Sequence, residues 1–117
     1  MPYQFALFST TALLLERKIQ DWLEKHPTIE IEQPQLGQSG RNEDPFVTVT
    51  FLWREDGTQS PFKFRLFCKN ASLVEGEVQK WLENKHIGVE HHLLGQSGVR
   101  IDPFVTVAFF YRIHEWK

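Results

Sequence analysis

At 117 residues, with 41% hydrophobic and 24% charged side chains, the chain has the length of one domain with its own core and is too apolar to be disordered. A net charge of −2 offers no global attraction to nucleic acid or to an anionic membrane. One cysteine, Cys68, leaves no internal disulfide to form and makes a reducing, cytoplasmic compartment the expectation.

The chain opens on "MPYQFALFSTTALLLERK", which lacks the basic start of a secretory signal and turns charged too early for one. Within it Tyr3, Phe5 and Leu7 alternate with Gln4 and Ala6, the period of a strand. The period then changes. Leu15, Ile19, Trp22 and Leu23 fall on one face of a helix, with Thr10 or Thr11 as its cap and Pro27 as its stop. Arg17, Asp21 and Lys25 stand four apart on the outer face. Ile29 and Ile31 begin a second strand, with Glu30 and Glu32 on its solvent side. Next comes "LGQSGRNEDPFVTV", in which Gly37 and Gly40 suit a turn with positive φ and Asp44 suits an Asx-type turn before Pro45. "PFVTVTFLW" is the strongest strand signal of this half, and "REDGTQS" is a polar junction.

The same order then repeats. "PFKFRLF" answers "PYQFALF", and "QKWLE" answers "QDWLE", both at an offset of 59. "LGQSGVRIDPFVTV" at 94–107 matches 36–49 at eleven of fourteen positions, at an offset of 58. Val74, Val78, Trp81 and Leu82 repeat the helical face, Ser72 and Glu75 have the spacing of a capping box, and Gly88 marks the helix exit. Val89, His91 and Leu93 form the second strand, and "PFVTVAFFY" the third. The fold class is therefore α+β. A βαββ unit, residues 2–54, is duplicated at 61–112 within one domain, 1–117. The expectation is a six-stranded, mainly antiparallel sheet with two helices on one face, ferredoxin-like in character.

In the last strands both faces are apolar. Val47, Val49, Phe51 and Trp53 share one face; Phe46, Thr48, Thr50 and Leu52 share the other. Two helices cannot cover both faces of six strands, so the second face calls for a partner. The reading is a homo-oligomer, a dimer, whose interface includes Phe46, Thr48, Leu52, Phe104, Thr106 and Phe110; another protein is the alternative occupant. A sheet curled onto itself is the rival account. Phe46, Phe104 and Phe8 with Arg65 and Lys63 could also stack the bases of a single strand, a reading that the acidic balance opposes.

The repeated GQSG is compatible with turn geometry alone. A ligand-binding reading assigns Gln38, Ser39, Arg41, Gln96, Ser97 and Arg100 to a small anion held by backbone N–H groups. Ser39 and Ser97 lie outside any G-x-S-x-G elbow. His91 and His92 are adjacent on a strand and point to opposite faces, and His26, His86 and His114 lack ligand spacing, so neither metal nor cofactor is expected. Trp22 and Trp81 belong in the core.

Pro2 stands before a strand that runs into a βαβ unit, and in this the chain resembles the tautomerase superfamily. The resemblance implies an enzyme with Pro2 as general base. Pro61 opens the second unit in the same way. The main reading is a non-enzymatic protein of protein–protein interaction or regulation that self-associates through its sheet, with no membrane partner; the alternatives are the tautomerase-like enzyme and the weak ligand or single-strand binder.

Overall fold

A computed structural model describes residues 2–40, 45–56, 61–84, 86–97 and 103–113. Eight elements follow one another: β1 (Gln4–Thr11), α1 (Ala12–Glu24), β2 (Ile29–Ser39), β3 (Phe46–Glu55), β4 (Lys63–Asn70), α2 (Ala71–Leu82), β5 (Ile87–Ser97) and β6 (Phe104–Ile113). The α+β class holds. The single six-stranded sheet does not form among the described residues: there are two three-stranded antiparallel sheets, ordered β1-β3-β2 and β4-β6-β5.

Side-chain chemistry explains the division. β2 and β5 are neighbours, but Leu36 and Gln38 of β2 stand against Gly95 of β5, so side chains fill the seam where a ladder would run. The sheets face one another across a shared core instead. Phe51 of the first sheet meets Phe110 of the second at a centroid distance of 5.3 Å. Around that pair Leu15, Ile19 and Leu23 of α1, Ile29, Ile31, Val47 and Val49 of the first sheet, and Phe62, Phe64, Leu93 and Ala108 of the second are all buried.

Helix α1 is the wedge of this core. It lies over β1 and also reaches β4, the edge strand of the other sheet. Glu16 Oε1 accepts from the Leu66 N–H at 2.7 Å, and Gln20 Oε1 from the Phe64 N–H at 3.0 Å. An exposed strand edge is a pairing hazard, and two side chains of α1 satisfy this one. Helix α2 covers the opposite face of the second sheet, where Val74, Val78 and Trp81 pack on Phe67, Val105 and Phe109. Each helix thus lies against its own sheet through the same positions. Trp22 touches Phe8, Phe51 and Trp53; Trp81 touches Phe67, Phe109 and Tyr111.

Local details depart from the sequence reading. Thr11 and Asn70 are the N-cap residues, and neither makes a side-chain cap hydrogen bond. Ser72 falls inside α2, so no capping box with Glu75 arises. Backbone carbonyls replace these caps: Pro45 accepts from the Ala12 N–H and Pro103 from the Ala71 N–H. Leu36–Ser39 are strand rather than loop, pairing with Phe46–Val49. Of the two glycines assigned positive φ, Gly40 has it, at 109°, while Gly37 is ordinary strand. Gly88 is also strand. β2 carries a bulge between Glu32 and Gln35, with Gln33 at φ 50°.

Candidate interaction surface

Strand parity decides what each sheet shows to the outside. On β1 and β3, Ala6, Phe8, Val47, Val49 and Phe51 turn toward α1, which leaves Phe5, Leu7, Phe46, Thr48, Thr50 and Leu52 on the far face. No element of the chain covers that face among the described residues. Phe5 is 64% exposed, Leu7 57% and Phe46 58%, with Tyr3 exposed beside them. Leu52, Thr48 and Thr50 are half-buried by these neighbours. An open edge adjoins the patch, because among the described residues β1 pairs only with β3.

The corresponding face of the second sheet has the opposite fate. Thr106 and Phe110 are fully buried and Phe104 is half-buried, because the first half packs against them. The six residues assigned to a docking interface therefore divide. Phe46, Thr48 and Leu52 lie on an open face, whereas Phe110 and Thr106 serve the interior of the same chain. Sequence parity cannot distinguish these cases, since both faces read alike.

An ion-pair cluster fixes the two halves together. Arg112 is buried; its Nη2 lies 3.0 Å from Glu30 Oε1 and 3.4 Å from the Ile29 carbonyl, and its Nη1 lies 2.8 Å from Glu90 Oε1. The guanidinium sits 3.8 Å from the Phe62 ring centroid. Glu30 is thus engaged across the halves, and not a free solvent-side acid. Arg54 holds the matching place in the first half, over Tyr3 at 5.4 Å. Its Nε is buried without a hydrogen-bond partner among the described residues.

The ligand-site residues are distributed differently from a cradle. Gln38 Nε2 donates to the Phe104 carbonyl at 3.2 Å, across the halves. Ser39 and Gln96 are exposed, Ser97 pairs with Phe104 through its strand, and Arg41 and Arg100 lie outside the described residues, as does Asp44. The residues of the base-stacking reading are not on one face: Phe8 is packed on Trp22 and Phe51, Phe46 is on the open face, and Arg65 is 3.9 Å from Glu16 and over the Phe67 ring. Pro2 and Pro61 are both exposed at the approach to their strands. His91 Nε2 lies 3.0 Å from the Ile31 carbonyl. Cys68 is half-buried and accepts from Thr106 Oγ1 at 3.3 Å, as Ser9 meets Thr48 at 2.8 Å in the first half.

Among the described residues no group of three or more His, Cys, Asp or Glu is placed to hold a metal ion, and no helix is long and apolar enough to cross a membrane. Burial raises the Tyr111 phenol above its ordinary pKa of 10.0; Arg65 opposes the rise and Glu16 adds to it. Comparison of the chain with protein-family models, with curated proteins and with solved structures finds no match in any of the three.

Proposed function

We propose that this chain is a duplicated βαββ protein, ferredoxin-like in each half, that works by association and not by catalysis. It self-associates through the open face of its first sheet, as a regulatory or scaffolding protein of a reducing, cytoplasmic compartment. The observation that carries the reading is that Phe5 and Leu7, and Phe46 further along the strand pair, are all exposed on one sheet face that is uncovered among the described residues, where β1 has β3 as its strand partner. Exposed apolar side chains gathered on one face mark an interaction site. The test is the molar mass by light scattering over a range of concentration. Mass that rises with concentration supports the reading, and a strict monomer at tens of micromolar removes it. Phe5→Lys and Phe46→Lys should abolish the rise while leaving the circular dichroism spectrum intact, because both side chains already face water.

A further inference from the structure

Within one chain, the two halves meet head to tail. The helix side of the first half receives the bare sheet face of the second. That contact uses one surface of each half and, among the described residues, leaves two surfaces unused: the bare face of the first half and the helix side of the second. Residues correspond at an offset of 59 in the first strands and helices and of 58 in the later strands, and the pairing registers carry the second offset back to Ile29 and Ile87.

Compare the unused helix side with its engaged counterpart. Glu16 and Gln20 bind the edge N–H groups of β4; their equivalents, Glu75 and Gln79, keep the same side chains and are exposed. Leu23 is fully buried between the halves, and Leu82 is 40% exposed. Ile31 is buried, and Val89 is 40% exposed. Leu36 lies over Gly95, while its equivalent Leu94 is 64% exposed. Gln38 donates to the Phe104 carbonyl; Gln96 is exposed.

The bare face of the first half offers the matching partners. β1 pairs with β3 in the register that β4 has with β6, Phe5 opposite Leu52 as Phe64 is opposite Phe110. The N–H groups of Phe5 and Leu7 therefore point to the free edge, as those of Phe64 and Leu66 point to α1. A Cβ at Gly95 would run into Leu36, but a Cβ at Gly37 meets nothing within 4 Å. Gly37 is thus an empty seat of the kind that Leu36 fills at Gly95.

We infer that a second copy of this chain docks the helix side of its second half onto the bare sheet face of the first half, repeating between chains the contact that joins the halves within one. The inference rests on the self-association proposed above and specifies its geometry. Glu75 and Gln79 of one copy accept from Leu7 and Phe5 N–H of the next; Leu94 covers Gly37; Gln96 reaches the Phe46 carbonyl. One element is not reproduced. Gly88 stands where Glu30 pairs with Arg112, so the junction between chains lacks the buried ion pair and is the weaker of the two. Such a contact is heterologous. It closes into a ring where the rotation from chain to chain brings the last copy back to the first, and otherwise propagates into a filament.

Two variants separate this from symmetric face-to-face pairing. Gly37→Val blocks the receiving face in a place where the lone chain has room; Glu75→Lys with Gln79→Lys blocks the docking side on exposed positions. By sedimentation velocity, the unaltered protein should assemble beyond one chain, each variant alone should stay at one chain, and an equimolar mixture should give a two-chain complex and no more. Melting temperatures within a degree or two of the parent certify that the variants are folded. If the Glu75/Gln79 variant assembles like the parent, the head-to-tail geometry is wrong and self-association through the sheet survives. If the parent itself remains a monomer at tens of micromolar, both fall.

Discussion

Arg112 carries a charge into the seam between the halves, and its environment sets what its loss would do. Two carboxylates, a carbonyl and the face of Phe62 surround it. Arg112→Ala removes charge-assisted bonds and leaves Glu30 half-buried without its cation, so the fold should lose about 2–3 kcal/mol in urea melts. Tyr111 gives a pH signature. The unfolded chain releases its phenol proton near the ordinary value, while burial keeps the folded chain protonated to higher pH. The unfolded state therefore binds fewer protons in that window, and stability declines as pH rises from about 10 through the raised value. Tyr111→Phe should flatten this alkaline decline relative to the parent. Little of this could be read from the sequence. Glu30 reads as a solvent-side acid because its alternation with Ile29 and Ile31 describes one strand, whereas its partner is 82 residues away.

At the scale of elements, the strands and helices were legible because each period is intrinsic to its own backbone: alternation in Phe62, Phe64 and Leu66, and helical spacing in Leu15, Ile19 and Trp22. The ends were less so. At the helix starts the Ala12 and Ala71 N–H groups donate to the Pro45 and Pro103 carbonyls, just ahead of β3 and β6, and the N-cap side chains make no cap bond. The LGQS segments look like loops because glycine and serine are turn residues, yet Gly95 is a strand residue whose role is to admit Leu36 and Gln38. Gly95→Val should therefore cost about 1–3 kcal/mol through overpacking of the seam, read as a lower midpoint in denaturant. The same exchange at Gly37 should leave the midpoint of the lone chain unchanged.

For the whole molecule, the sequence made the two units plain, and the parity of PFVTV led to the expectation of a cover for each second face, which the described residues supply for the second sheet and not for the first. What it could not say is who supplies the cover. In the second half the cover is the first half of the same chain; in the first half it is absent among the described residues. A common core follows, since Phe51 and Phe110 come from different halves and touch. The halves should unfold together. Tryptophan fluorescence, which samples Trp22 and Trp53 in one half and Trp81 in the other, and far-ultraviolet dichroism should give coincident urea transitions.

The grip of α1 on β4 also leaves a mark in time. Phe64 and Leu66 sit on an outer strand, where amide protons ordinarily swap rapidly with deuterium, yet each is tethered to a helix side chain. In dilute solution their exchange should lag far behind that of Phe5 and Leu7, which hold the same rung of the other sheet with no helix side chain alongside among the described residues. A pair of clocks is thereby built into the backbone, one already stopped and one still running.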